Sequence, residues 1–278
     1  MKRSFILILA LLIPFLGNSQ EDEKKIKLKV NGFVKNDFFW DSRQTITARE
    51  GQFLLFPAAV SEDADGNDIN DVPNMNFLSV QSRVSLGITG PDVLNAKVSA
   101  KIEGDFFAQA NDNINLLRLR HAYINMKWEN AELLFGQYWI PMFVTGCFPG
   151  TVSFNTGTPF QPFGRSPQVR FTYNFGPAKF IAIAHTQRDF QSAGPGGVTS
   201  SYLRNSSMPE LSAQIHFGDG KNILAGIGGG YKQIVPEIET SSSFATNERL
   251  PSFSSIAFLK YKTSPITFKL EGIYGQNM

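Results

Sequence analysis

Residues 94–107, LNAKVSAKIEGDFF, alternate between apolar and polar side chains. One face carries Leu94, Ala96, Val98, Ala100, Ile102, Gly104 and Phe106, and the other carries Lys97, Ser99, Lys101, Glu103 and Asp105. A period of two residues is typical of a β-strand whose two faces meet different surroundings. Residues 80–89 and 211–217 repeat the pattern, so the sequence predicts an all-β, antiparallel fold.

The connections between roughly eleven predicted strands alternate between short and long. The short ones are turns beginning at Gly90, Glu129, Gly176, Gly218 and Thr263. The long ones are polar stretches at about residues 41–76, 108–114, 141–167, 189–209 and 235–252. Transmembrane β-barrels have tight turns at one rim and longer loops at the other. Several predicted strands also reach about 10–14 residues, which suits a tilted membrane crossing of about 9–11 residues. The pattern favours a transmembrane, up-and-down β-barrel over a soluble sandwich, with Trp128, Trp139, Tyr173 and Tyr261 among its interfacial aromatic residues.

The N-terminus has the pattern of a secretory signal peptide, predicted over residues 1–19. Lys2 and Arg3 precede an apolar run from Phe5 to Leu16, and small or polar residues follow it. Such a run of about 12 residues is too short to span a bilayer as a helix, which needs about 20. Residues 20–278 are expected to form the barrel domain, in the outer membrane of a Gram-negative bacterium.

Charge content argues against one class of partner, and cysteine content excludes an intramolecular disulfide. Without Lys2 and Arg3, the chain has 24 basic residues against 24 acidic ones, which argues against nucleic acid as a partner. Cys147 is the single cysteine, so no intramolecular disulfide can form. Any electrostatic function therefore depends on how the charges are arranged.

The polar strand faces supply candidate pore-lining charges. The basic candidates are Arg83, Lys97, Lys101, Arg118, Arg120, Arg165 and Arg170, and the acidic ones, expected as an opposed row, are Asp37, Glu103 and Asp105. Guanidinium groups are always charged and attract carboxylates or phosphates, so we expect a preference for anions. The alternative is that the charges neutralise one another in a general pore.

In the segment 117–128 the alternation of apolar and polar side chains changes phase partway along the strand. Arg118 and Arg120 lie opposite Leu117 and Leu119, but the following apolar residues fall on the arginines' own face. Either a β-bulge shifts the phase or those apolar residues face inward near the rim. In both cases we expect the arginines to face inward, because an arginine facing lipid at the midplane costs about 2–4 kcal/mol.

The connection 141–167 is long, aromatic and poor in charge. Folding into the barrel as a constriction explains this composition, and packing in a subunit interface is the alternative. The aromatic candidates are Phe143, Phe148, Phe154, Phe160 and Phe163.

Two segments carry a resemblance to a known family. The run from Arg118 to Tyr123, the turn at Glu129-Asn130 and the run from Leu134 to Phe143 resemble the central hairpin of the DcaP-like trimeric outer-membrane porins. They are also similar to the phosphate-selective porins. Residues 30–37, VNGFVKND, resemble the first strand of the same group, and the resemblance covers about residues 28–185.

The resemblance implies a homotrimer of sixteen-stranded barrels in outer-membrane lipid, each with a pore narrowed by inward-folded loops. It also implies passive diffusion of small hydrophilic, often anionic, solutes, for which no cofactor is needed. Bacterial single-chain barrels have even strand numbers. Eleven strands would leave the sheet unclosed at Met278, so we expect residues 20–278 to lack about five C-terminal strands and to form no stable pore alone.

No catalytic or metal site is predicted. Residues 63–68, DADGND, lack the spacing of a calcium loop, and His121, His185 and His216 lack metal-ligand spacing. Two other classes stay open: a barrel enzyme of the protease or phospholipase type, and a plugged adhesin or scaffold barrel. Hydrolysis of ester or peptide substrates would indicate the first, and absence of conductance the second.

Overall fold

The fold is described from a computed structural model. It describes residues 26–108, 110–151, 154, 156–158 and 161–278. The predicted signal peptide, residues 1–19, and the predicted constriction residue Phe160 lie outside the described residues.

The regular secondary structure of the described chain consists almost entirely of strands. In chain order they are β1 (Lys27–Phe33), β2 (Asp37–Asp41), β3 (Thr45–Ala48), β4 (Phe53–Pro57), β5 (Asn74–Leu78), β6 (Arg83–Thr89), β7 (Lys97–Phe106), β8 (Leu117–Lys127), β9 (Ala131–Trp139), β10 (Arg165–Phe175), β11 (Ala178–His185), β12 (Ala193–Gly194), β13 (Gly197–Val198), β14 (Glu210–Phe217), β15 (Ile223–Ile234), β16 (Leu250–Lys262) and β17 (Thr267–Gly275). A 3-10 turn spans Asn111–Asn113, and one short helix, α1, spans Ser201–Arg204. None of the helices among the described residues is long and apolar enough to cross a membrane.

Eleven strands form one antiparallel sheet in the order β1-β6-β7-β8-β9-β10-β11-β14-β15-β16-β17. Each strand therefore pairs with the next one along the chain that belongs to the sheet, which is up-and-down topology. The predicted fold class and strand number are confirmed. In the described residues β1 and β17 lie at opposite ends of this order and do not pair, so the sheet is open. The sixteen-stranded complete barrel stays a prediction.

The connections alternate as predicted. The short ones are residues 90–96, 128–130, 176–177, 218–222 and 263–266, and the long ones are residues 34–82, 107–116, 140–164, 186–209 and 235–249. Leu94 and Asn95 have positive φ angles of 52° and 61° and belong to the first short turn, so β7 begins only at Lys97. In an up-and-down sheet this alternation places all the long connections at one rim. Two of them carry small strand pairs: the 34–82 connection contains β2–β5 and β3–β4, and the 186–209 connection contains β12–β13.

The two faces of the sheet differ in chemistry. We call the face with exposed apolar side chains the outer face and the opposite one, where loops cover many side chains, the inner face. Outer residues lie in register on neighbouring strands, as Leu86 of β6, Ile102 of β7 and Ala122 of β8 show. Exposed outer side chains include Leu28, Val84, Leu119, Ile124, Phe135, Val169, Phe180, Leu211, Ile227 and Phe253. Because apolar groups avoid water, a continuous face of this kind fits a lipid surrounding.

A β-bulge in β8 explains the break in its alternation. Glu103 pairs with His121 and Gly104 pairs with Leu119, so Arg120 is an extra residue without a partner on β7. The bulge turns Arg118, Arg120 and His121 toward buried surroundings while Leu119 and Ile124 stay exposed. The first of the two sequence alternatives is therefore correct.

The neighbouring strand β9 satisfies the backbone that the bulge leaves unpaired. Pairing between β8 and β9 covers only Ala122 to Lys127 on the β8 side. The side-chain amide of Gln137 donates to the carbonyls of Leu119 and Arg120, both at 3.0 Å. Gly136 has a φ angle of 127°, and a Cβ atom there would lie 2.1 Å from the Ala122 carbonyl oxygen. This close approach requires glycine.

The aromatic residues near the strand ends divide into two groups. Exposed ones, which fit the predicted interfacial girdle, include Tyr173, Phe175, Phe217 and Tyr261. The prediction for Trp139 is wrong. Its ring packs against Phe143 at 4.6 Å and Phe163 at 5.3 Å between centroids, because the 140–164 connection folds over it.

The assignment of the two faces predicts a large loss of stability for one substitution in β8 and a small effect for the adjacent one. Ile124→Lys places a charge on the outer face and should destabilise the membrane-inserted sheet by about 2–4 kcal/mol if it lies near the midplane. Asn125→Lys, on the inner face, should change stability little. Folding titrations into lipid vesicles measure both, and equal effects would refute the assignment.

The bulge predicts a specific role for Gln137. Gln137→Leu keeps the side-chain volume but leaves two carbonyls without a donor, so the free energy of unfolding should fall by about 1–3 kcal/mol. Urea unfolding in vesicles measures it, with Gln191→Leu in the 186–209 connection as the control. An unchanged Gln137→Leu protein would show that the carbonyls find other partners.

Candidate pore-lining site

Six charged side chains form a network on the inner face of β6, β7 and β8. Asp105 accepts from Arg118 Nε at 2.7 Å, from Arg120 Nη1 at 2.9 Å and from Arg83 Nη2 at 3.5 Å. Glu103 pairs with Arg120 Nε at 2.8 Å and with Lys101 Nζ at 2.7 Å. We call these six residues the charge network.

The arrangement of this network differs from the prediction of opposed rows. Both acids lie on β7, between Arg83 on β6 and the arginines of β8, so opposite charges are neighbours in one wall. The register causes this, because it sets Asp105 directly beside Arg83 and Arg118. Asp105 is 0% exposed, and a buried carboxylate is stable only when it is fully paired. With four cations and two anions, the network keeps a positive excess.

The other predicted charges lie outside the network. Lys97 pairs with Asp92 at 2.6 Å beside a short turn. Asp37 pairs with Lys35 and accepts from Gln52 at 2.7 Å within the 34–82 connection. Arg170 donates to Gln168 Oε1 at 3.0 Å and to the Trp139 carbonyl at 2.9 Å. The expected proximity of Asp37 to the arginines is thus wrong, since Asp37 belongs to the small β2–β5 pair.

The 140–164 connection packs against the inner face of the far end of the sheet. Met142, Val144 and Cys147 form one buried cluster with Leu224, Ile256 and Phe258. The Pro141 carbonyl accepts from Gln214 at 2.7 Å, and the Phe148 carbonyl accepts from Lys269 at 2.7 Å. Burial raises the pKa of the Cys147 thiol, which keeps it protonated at neutral pH. The described part of this connection therefore lies over the inner face.

Phenylalanines from three long connections meet beside the charge network, where the Arg118 guanidinium lies 4.7 Å from the Phe107 ring centroid. Phe53, at the start of β4, lies 5.5 Å from both Phe107 and Phe154 and 6.5 Å from Phe163, between ring centroids. Phe163 lies 5.1 Å from Phe143, and Phe143 stacks on Phe148 at 5.2 Å. Four of the five predicted constriction residues are thus brought together in the described chain. The contribution of the β3–β4 pair was not predicted.

A cavity of about 890 Å³ lies between these connections, and we call it the arginine cavity. Its charged lining residues are Arg49, Arg118, Arg165, Arg188 and Asp189. Arg49, Arg188 and Asp189 were not predicted, because they lie in polar loops without strand periodicity. Arg165 pairs with Asp189 at 2.6 Å. Among the ion pairs of the described residues, none joins Arg49 or Arg188 to a carboxylate.

Arg49 is held by backbone carbonyls and an aromatic ring. Its Nη1 donates to the carbonyls of Phe107 and Ala108, both at 2.6 Å, and its guanidinium lies 5.2 Å from the Phe107 ring centroid. Burial lowers the pKa of Arg49 to about 10, with a further lowering from the positive charge of Arg118. The side chain stays protonated at neutral pH, and its charge lacks a close negative partner.

A second polar cluster lies deeper in the inner face. His185 contacts Ser166 Oγ through Nδ1 at 3.2 Å and Glu210 Oε1 through Nε2 at 3.6 Å, and Lys232 pairs with Glu210 at 3.4 Å. The order of groups resembles a hydrolase triad, which sequence spacing could not reveal. Ser166 is only 1% exposed and the adjoining cavity is about 50 Å³, too small for a lipid or peptide substrate. The cluster instead links β10, β11, β14 and β15.

The acidic segment 63–68 uses its carboxylates within the loop. Asp63 accepts from the backbone amides of Asp65 and Asn67, both at 2.9 Å, and Asp68 pairs with Arg43 at 2.8 Å. Within the described part of the chain, no group of three or more His, Cys, Asp or Glu side chains could hold a metal ion.

Comparison with known proteins shows similarity at the level of structure. The outer membrane channel DcaP of Acinetobacter baumannii aligns with a TM-score of 0.65 and 21% identity, over 92% of this chain and 65% of that chain. OmpT of Vibrio cholerae aligns with a TM-score of 0.47 and 11% identity, over 93% of this chain and 67% of that one. The anion-selective porin from Comamonas acidovorans aligns with a TM-score of 0.39 and 11% identity, over 90% and 78%. The last two similarities are too weak to support an argument.

No protein-family model matches the chain, and no curated protein sequence is significantly similar to it. This chain spans 65% of the length of the DcaP structure, and at 21% identity the similarity concerns the fold alone. It confirms the predicted resemblance at that level. The chain has the antiparallel, up-and-down strand arrangement of the transmembrane β-barrel of the DcaP outer membrane channel, with the sheet open in the described residues.

Proposed function

We propose that this protein is an outer-membrane porin through which small hydrophilic solutes diffuse passively, with a preference for anions. The arginine cavity is the observation that carries the proposal, because four guanidinium groups line it against one carboxylate. A positive lumen wall attracts anions and repels cations. We propose further that a signal peptide over residues 1–19 directs export, and that the protein is a homotrimer in outer-membrane lipid, as the resemblance of its central hairpin to trimeric porins implies.

The arginines of the cavity that form no ion pair with a carboxylate in the described residues determine the anion selectivity. Asp105 partly neutralises Arg118, and Asp189 partly neutralises Arg165. Arg49 and Arg188 retain their charge beside the open cavity. Mutual neutralisation is only partial in the charge network, which keeps four cations against two anions, and four guanidinium groups face one carboxylate in this cavity.

The 34–82 and 140–164 connections fold inward and form the constriction of the pore. The 140–164 connection rests on β15 and β16 through Leu224, Ile256 and Phe258, and the β3–β4 pair meets it at Phe53. Side chains fixed by such packing hold the arginines at set positions. Passive diffusion needs only this lined passage and no cofactor.

The proposal predicts the sign of the reversal potential. In a KCl gradient across a planar bilayer, the protein extracted from outer membranes should pass chloride more readily than potassium. Arg49→Gln together with Arg188→Gln should lower the permeability ratio several-fold, because both uncompensated charges are removed.

Arg204→Gln is the matched control, since Arg204 is an exposed arginine on α1 away from the cavity lining. It should leave the ratio unchanged. Cation preference in the unmodified protein would overturn the proposed selectivity, and absence of conductance from a closed barrel would favour the plugged adhesin or scaffold alternative.

A further inference from the structure

The arginine cavity has an apolar wall as well as a charged one. Phe53, Phe163 and Phe190 line it, together with Pro162 and Val198. An inorganic anion or a short aliphatic acid uses only the charged wall. Ligand sites of about 300–1,000 Å³ commonly combine apolar lining with a few placed polar groups, and 890 Å³ falls within that range.

We propose that the arginine cavity prefers anions that carry an aromatic ring, such as aromatic carboxylates, over aliphatic anions of the same charge. The inference rests on the proposed function and names the substrate class of the same site. The carboxylate would lie toward Arg49 and Arg188, and the ring would lie against the phenylalanines.

The two kinds of wall are adjacent in the chain as well as in space. Arg188 and Phe190 flank Asp189 in the 186–209 connection, and all three line the cavity. Phe190 is 44% exposed, so its ring is available to a solute. Aromatic rings favour offset or edge-to-face contacts with other rings, which adds to the gain from burying their area.

Aromatic rings of the protein also orient the guanidinium groups in and beside the cavity. Arg49 and Arg118 lie 5.2 and 4.7 Å from the Phe107 centroid, and Arg165 lies 5.6 Å from that of Phe163. Stacking fixes the plane of each group. Arg118 and Arg165 donate to Asp105 and Asp189, whereas in the described residues Arg49 donates through Nη1, so its other N–H groups can meet a carboxylate. A flat acid such as benzoate can therefore meet an oriented donor pair and an aromatic surface together.

Calorimetric titration of the detergent-extracted protein with benzoate, cyclohexanecarboxylate and acetate tests this inference. Benzoate should bind about tenfold more tightly than acetate, with cyclohexanecarboxylate weaker than benzoate because its puckered ring stacks poorly. Phe190→Ser should weaken benzoate about fivefold and leave acetate unchanged. Phe244→Ser, at an exposed phenylalanine of the 235–249 connection, is the control and should change neither.

Equal affinities for benzoate and acetate, or a Phe190→Ser protein with an unchanged benzoate preference, would overturn the inference. Cyclohexanecarboxylate binding as tightly as benzoate would overturn it too, since burial of any apolar body would then suffice. The reversal potential of the same preparation separates the two proposals. Retained chloride preference with no benzoate preference rejects only the substrate class, whereas loss of both rejects the anion-selective porin as well.

Discussion

Hydrocarbon offers no hydrogen-bond partner to a backbone amide or carbonyl, so a membrane-spanning wall of strands must satisfy every such group within the protein. Regular antiparallel pairing does this along most of the eleven-stranded sheet. At the bulge around Arg120 pairing alone is insufficient, and the side chain of Gln137 supplies the missing donors. Gln137 therefore serves backbone satisfaction, and Gly136 allows the two strands to approach there.

The bulge also determines what the inner face can do. By shifting the phase of β8, it brings Arg118, Arg120 and His121 inward without turning Leu119 or Ile124 away from the outer face. The arginines then meet Asp105 and Glu103 of β7 and form a paired network in one wall. Because this wall is internally paired, the selective charges come from the loops above it. Arg49 is held there by the Phe107 ring and by the Phe107 and Ala108 carbonyls, and Arg188 lines the same cavity.

Period-two alternation allowed the fold to be predicted, because a strand between two different surroundings must repeat every second residue. The assignment of Arg83, Arg118, Arg120, Glu103 and Asp105 to one face rested on the same regularity. Register was not predictable, since it depends on pairing between strands, and for that reason the opposed rows were wrong. Arg49 could not be found from sequence because its contacts lie 58 and 59 residues away in Phe107 and Ala108. Trp139 was misplaced because the 140–164 connection covers it, which strand-end position does not reveal.

A nitroxide scan of β8 in lipid vesicles tests most directly whether the sheet separates lipid from water with a phase shift at the bulge. Single labels at residues 117–127 report collision with oxygen, which concentrates in lipid, and with a water-soluble relaxation agent. Oxygen accessibility is expected to peak at Leu117, Leu119, Ala122, Ile124 and Met126, with two consecutive low values at Arg120 and His121. Uninterrupted alternation through Arg120 and His121 would contradict the bulge, and water accessibility at every position would contradict a membrane-embedded wall.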